Sequence, residues 1–223
     1  MEEWREFLYP LGFLATIPFT ARFLLQWILS ERKGKSVAPK SFWVLSLVGN
    51  IALAIHSCLQ IQYIILLVQT CNAVISWRNM NLLQSSATQW KFRTVLGLFL
   101  LMVGLASILF FAQFAFSGEQ ISFFRNPGFF YGSTPASYFW HFIGTLGILL
   151  FTSRFWLQWW ESEKQKTSLF TIHFWTLSIL GAFLSVIYFL KIGDPVNAIG
   201  PACGLIPYIR NVFLIKRTLR STA

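Results

Sequence analysis

The stretch Arg22 to Asn79 returns without a gap as Arg154 to Asn211, at a constant offset of 132 residues. Of the 58 aligned positions, 17 are identical. Arg22, Phe23, Leu25, Gln26, Trp27, Ser30 and Glu31 match Arg154, Phe155, Leu157, Gln158, Trp159, Ser162 and Glu163. Phe42-Trp43 matches Phe174-Trp175, and Ser46, Gly49 and Cys71 match Ser178, Gly181 and Cys203. The register closes on Arg78-Asn79 and Arg210-Asn211. A repeat of this length requires the chain to form the same unit twice.

Each copy contains long apolar runs. The chain is 55% hydrophobic, 18% aromatic and only 12% charged. Several windows exceed the roughly 18 apolar residues needed to cross a hydrocarbon core. The predicted fold is all-α and integral to a membrane, with seven transmembrane helices. The spans cover about 8–29, 42–59, 63–79, 94–116, 138–160 and 170–190, and the last ends near Leu214. Three helices, one linker helix and three more give two parallel repeats, because an odd linker returns the second unit in the first one's orientation. The first repeat covers 8–80 and the second 138–216. Residues 81–137 hold the linker helix and a Gly/Pro/aromatic-rich outer loop, which includes Phe123-Phe124-Arg125-Asn126-Pro127-Gly128. Pro18 is expected to kink the first span, and Pro201 and Pro207 to interrupt the seventh.

Lysine and arginine set the orientation. One side of a seven-span chain collects 13 of them and the other side three, Arg5, Arg125 and Lys191. The richer side is the cytoplasmic one, so the N-terminus is outside and the C-terminus inside. The net charge of +10 then speaks for anionic lipid surfaces rather than nucleic acid. The acidic start, Met1-Glu2-Glu3, argues for a retained first helix rather than a cleaved leader. Cys58, Cys71 and Cys203 are odd in number and sit in apolar runs, which argues against a disulfide framework. His56, His141 and His173 have no metal-ligand spacing, and no cofactor is implied.

Arg22 and Arg154 stand about two turns inside the cytoplasmic ends of their spans. Two readings stay open. The guanidinium can snorkel to the headgroup layer, or it can form an anion site with the glutamine four residues on, Gln26 or Gln158. Polar stripes recur on the other helices: Gln69, Asn72, Ser76 and Asn79 on the third, and Asn197, Gly200, Gly204, Tyr208 and Asn211 on the seventh. Small and amide residues at this spacing pack helices together; the alternative is a polar cavity between the units near the midplane. Glu31, Glu161, Glu163 and Asp194 fall at span ends, which disfavours proton coupling, and Glu161 and Glu163 are expected to be solvated. No phosphate loop, carboxylate pair or Ser/His/Asp constellation is present, so the chain alone reads as non-catalytic.

The chain resembles the lipid A biosynthesis N-terminal domain family in two copies, and the second unit matches best. The resemblance rests on Arg154, Gln158-Trp159, Ser162-Glu163, Phe174-Trp175, Ser178, Gly181, Asp194-Pro195, Gly204 and Tyr208-Ile209-Arg210-Asn211. The first unit departs from the pattern, with Gln62-Tyr63, Asn72 and Ser76 where the second has Asp194-Pro195, Gly204 and Tyr208. The resemblance implies a role in the synthesis of lipid A or a related glycolipid, next to lipid-A-disaccharide synthase, whose glycosyltransferase domain is not visible in this sequence. The overall plan is also similar to that of the SWEET sugar transporters, although the Pro-Gln dipeptide of the wider PQ-loop group is absent. The expected ligand is a phosphorylated glycolipid or lipid-linked sugar, bound or translocated at the inner membrane. Arg22, Gln26, Asn72, Arg78, Asn79, Arg154, Gln158, Asn197, Tyr208, Arg210 and Asn211 are the candidate binding residues. A cytoplasmic glycosyltransferase is the alternative partner.

Overall fold

The computed structural model describes residues 3–117, 120–125 and 136–221. Those residues form eight α-helices: α1 Glu3–Leu8, α2 Phe13–Lys33, α3 Lys40–Leu59, α4 Tyr63–Leu82, α5 Phe92–Ser117, α6 Tyr138–Gln165, α7 Ile172–Lys191 and α8 Pro195–Ser221. A 3-10 turn, Tyr9–Gly12, joins α1 to α2. There is no strand among the described residues, only an isolated bridge between Gln62 and Phe124. Five stretches, Trp4–Lys33, Lys40–Leu59, Phe92–Ser117, Ile172–Lys191 and Pro195–Arg220, are long and apolar enough to cross a membrane. α4 and α6 have the length but carry more polar groups. Most of these are buried: Asn72, Arg78 and Asn79 on α4, and Arg154, Gln158 and Glu163 on α6.

Two helices outrun their expected ends. α2 continues past Leu29 to Lys33 and stops at Gly34, which takes a left-handed φ of 62°. α6 continues past Trp160 to Gln165 and stops at Lys166, with φ 53°. Arg22 is therefore 11 residues from Lys33, and Arg154 is 11 from Gln165. At 1.5 Å per residue that is about 16 Å of helix, roughly three turns rather than two. Pro201 and Pro207, expected to break the backbone, lie inside a continuous α8.

α2, α3 and α4 pack in sequence order, and α6, α7 and α8 do the same; α2 meets α8, α4 meets α6, and α5 lies on α4. The core between the two groups is largely aromatic: Phe23, Phe42, Trp43, Phe155, Phe170, Phe174, Trp175 and Tyr208. Bonds between the groups come in matched pairs with the 132-residue offset exchanged. Trp43 donates to Ser168 Oγ at 2.8 Å, and Trp175 donates to Ser36 Oγ at 3.0 Å. Arg78 pairs with Glu163, and Arg210 with Glu31. An approximate two-fold relation follows, with the duplicated units facing one another.

At the opposite end of the bundle the α3–α4 turn is held by the loop after α5. Tyr63 N donates to Phe123 O at 3.0 Å, and Arg125 N donates to Ile61 O at 2.9 Å. Ile61 sits at φ 56° where its counterpart in the second unit is Gly193 at φ 69°. A β-branched residue is strained there, and Ile61 is held by burial beside Leu66, Phe110 and Phe114. The Asn126-Pro127-Gly128 part of the expected interfacial loop lies outside the described residues.

Candidate functional site

Arg22 and Arg154 are placed by equivalent positions on α2 and α6, and both are withdrawn from solvent, at 4% and 0% exposure. The snorkelling expectation therefore does not describe them. Arg22 Nη1 donates to Ser46 Oγ at 2.9 Å, and that hydroxyl donates to Phe42 O at 2.6 Å. Its Nε has no partner. None of the three Arg154 guanidinium nitrogens has one. Tyr208 is close enough to share the local field, yet no N–H meets its hydroxyl in hydrogen-bonding geometry. No ion pair joins either arginine to a carboxylate among the described residues.

Aromatic rings take the place of counter-ions. The Arg154 guanidinium carbon lies 3.5 Å from the Phe151 centroid and 4.7 Å from that of Phe155. The Arg22 carbon lies 4.5 Å from Phe19, 4.6 Å from Phe23 and 5.6 Å from Phe155. Each such contact offsets about 0.5–2 kcal/mol. An uncompensated buried charge costs several kcal/mol. The rings, several to each guanidinium, therefore offset much of that cost.

Both arginines line a cavity of about 70 Å³, against about 10–15 Å³ for one water. Its walls come from α2, α3, α4, α6, α7 and α8, and none from α5. Asn50, Gln69, Asn72, Thr152, Ser185 and Asn197 supply the polar lining. Asn72 Oδ1 and Ser185 Oγ have no partner. The polar stripes of α4 and α8 thus do two things: Asn72 and Asn197 reach the cavity, and the residues nearer the basic end tie the units together.

Of the eleven candidate residues, the structure brings Arg22, Arg154, Asn72 and Asn197 to this cavity. Gln26 and Asn211 exchange both amide bonds at 3.0 Å. Gln158 and Asn79 do the same at 2.7 and 3.1 Å. Arg78 grips Glu163 with two nitrogens, one of them at 2.9 Å, and Arg210 grips Glu31 similarly. Tyr208 is fully buried against Phe23, Phe151 and Trp175. Glu163, expected to be solvated, is 9% exposed because the Arg78 pair and the Trp159 indole hold it inside.

Asp194 is a second buried carboxylate. It stands at a helix end but is wholly buried between the units. Tyr9 Oη donates to Oδ1 at 2.6 Å, and Gln62 Nε2 and Asn197 Nδ2 each donate to Oδ2 at 2.8 Å. The same carboxylate caps α8 by accepting from Asn197 N at 3.3 Å, a role suited to Asp before a helix that starts with proline. Asn197 thereby links the Asp194 cluster to the cavity wall.

The aromatic platforms are the part of the site that the residue patterns do not single out. A signal for them is nonetheless present: Phe19-x-x-Arg22-Phe23 returns as Phe151-x-x-Arg154-Phe155, three residues upstream of the Arg22 start of the repeat.

Comparison with known proteins agrees with the duplication. A model of the Lipid A Biosynthesis N-terminal domain matches residues 11–81 and again 143–213. A lipid-A-disaccharide synthase of Chlamydia pneumoniae is 37% identical over 216 residues, covering 96% of this chain and 34% of that protein. A protein of the same name from Chlamydia trachomatis is 35% identical over 211 residues, covering 94% and 34%. The chain thus spans about a third of the length of these curated relatives. No solved structure matches it.

Proposed function

The chain belongs to the Lipid A Biosynthesis N-terminal domain family, and on that footing we propose that it is a membrane module of lipid A biosynthesis that binds a phosphorylated glycolipid. All seven long helices cross the inner membrane as three, one and three, with the basic end in the cytoplasm. Arg22 and Arg154 hold the phosphate, as planar multi-donor cations suit such an anion. Asn72 and Asn197 add hydrogen bonds from opposite units. The amide pairs Gln26–Asn211 and Gln158–Asn79, the ion pairs of Arg78 and Arg210, and Tyr208 keep the two arginines in register. One observation carries the reading: two buried arginines with no carboxylate face a single cavity. An intramembrane charge without a carboxylate partner is by default a functional-site hypothesis.

The test is mass spectrometry of lipid co-purified with the gently extracted protein. The double variant Arg22→Ala/Arg154→Ala should stay folded by circular dichroism and lose bound phosphorylated lipid. Unchanged lipid content would sink the proposal.

A second reading is compatible with the first. In relatives named lipid-A-disaccharide synthase, the matching region is part of a chain about three times as long. The module can therefore present an acylated substrate to a cytoplasmic glycosyltransferase without chemistry of its own. A complex with such an enzyme, lost when the basic 32–40 loop is neutralised, would support this role; no complex under any condition would remove it.

A further inference from the structure

The arginine cavity adjoins a second hollow. A crevice of about 430 Å³ lies between α4 and α6, and Ile65, Val68, Ile148 and Thr152 line both spaces. Ile64 and Leu149 flank the crevice and are 56% and 61% exposed, so it opens on the apolar flank of the bundle. Along α6 it extends from Thr152 back to His141, about 16 Å at 1.5 Å per residue.

The matching seam on the other side has different residues and is tied at its Asp194 end. Shifted by 132, Ile65 and Val68 become Asn197 and Gly200, while Ile148 and Thr152 become Thr16 and Thr20. Asn197 is tied to Gln62 and Asp194. Tyr9 bonds Asp194 and accepts from Val196 N at 3.3 Å, joining the start of the chain to α8. The approximate two-fold relation is broken where a ligand would pass.

We propose that the ligand is an amphiphile whose anionic headgroup sits on Arg22 and Arg154 and whose acyl chain leaves the cavity between α4 and α6 into the bilayer. This rests on the reading of the arginines given above and adds the route of the chain. The chemistry divides the ligand in two. The guanidinium pair needs a charged, multi-acceptor head. A headgroup anchored in a membrane cannot reach a cavity inside a bundle unless its chain has an apolar path back to the lipid. The crevice adds little affinity of its own, because lipid tails are as apolar as its walls. It removes the penalty of folding the chain into a polar space.

Binding to the whole chain in phosphatidylcholine nanodiscs, probed with phosphatidic acid and with sn-glycerol 3-phosphate, separates the claims. Ile64→Trp and Thr145→Trp, at positions that line the crevice and not the arginine cavity, should weaken phosphatidic acid about tenfold or more and leave glycerol phosphate unchanged. Retained glycerol phosphate binding also shows that the variants are folded. Phosphatidic acid binding that survives both variants overturns the chain route while leaving the anion site standing. Arg22→Ala/Arg154→Ala should lose both ligands; if it keeps both, the anion site itself is wrong. A phosphatidic acid with a photoreactive group in mid-chain provides a readout free of substitutions. It should label Ile64 and Leu149, and labelling confined to other faces would overturn the route.

Discussion

Asp194 and Gln62 occupy equivalent places in the two units and meet each other, amide to carboxylate, at 2.8 Å. Two aspartates at that meeting point would repel, and one would be forced to take up a proton. The departure of the first unit from the family pattern is therefore a complement to the second: the amide donates where a second carboxylate could only accept. Gln62→Leu removes a donor from a buried carboxylate and should cost about 1.5–3 kcal/mol. Gln62→Glu should cost more, because it adds a second acid. Thermal unfolding in detergent ranks the two, and equal or negligible losses would dismiss the complementarity. The reciprocal Gln158–Asn79 pair makes a second case. A double-mutant cycle with leucine at both positions should give a coupling of about 0.6–1.7 kcal/mol, the range for bonds between membrane helices. No coupling would mean that the amides only fill space. The sequence displays all four residues, and the repeat relates Gln62 to Asp194. What it cannot display is contact, because the same offset is compatible with units that face, or turn away from, each other.

Helix against helix, the repeat is less symmetric than its identities suggest. Gly49 and Gly181 are equivalent, and both face the phenylalanine three residues before the buried arginine. A Cβ on Gly181 would lie 2.4 Å from the backbone nitrogen of Phe151, whereas one on Gly49 would lie 2.7 Å from the Phe19 ring. A ring can rotate away and a backbone cannot. Gly181→Ala should thus separate α6 from α7, cost about 1–3 kcal/mol and disturb the Phe151 platform under Arg154. Gly49→Ala should cost less. A Cβ on Gly97 or Gly104 of α5 would meet nothing within 4 Å, and alanine at either should be neutral or stabilise by about 0.5–1 kcal/mol. Unfolding temperatures of the four single variants check the order, and a Gly49→Ala loss equal to that of Gly181→Ala would contradict it. The existence and order of the long helices are legible in the sequence because apolar runs and polar breaks mark them. The extra turn on α2 and α6 is not, because Ser30-Glu31 and Ser162-Glu163 read as helix-ending polar residues. In the fold Ser30 and Ser162 are buried and bonded to Gln26 and Gln158, so the helix continues through them, and this carries the arginines deeper than expected.

Across the whole molecule, the two ends of the bundle differ in charge and in construction. One end carries the turns after α2, α4 and α6 with most of the lysines and arginines, and it is laced by the Trp43–Ser168 and Trp175–Ser36 bonds. The other carries the α3–α4 and α7–α8 turns, the start of the chain and the buried Asp194 cluster. The basic bias is the ground for proposing that the first end faces the cytoplasm. The cavity lies between them, so the orientation decides from which leaflet an anchored headgroup would enter. Native thiols report this poorly: Cys58 and Cys71 are half-buried, and Cys203 is exposed within α8 rather than at either end of the bundle. Two exposed sites report it better. Ser85, in the turn after α4, belongs to the basic end; Phe123, 55% exposed beside the α3–α4 turn, belongs to the other. In a background without native cysteines, Ser85→Cys should react with a membrane-impermeant maleimide only after the inner membrane is opened. Phe123→Cys should react in spheroplasts that are still sealed. The reverse pattern would invert the molecule, place the arginine cavity on the opposite approach and require the Asp194 cluster, rather than the basic end, to face the cytoplasm.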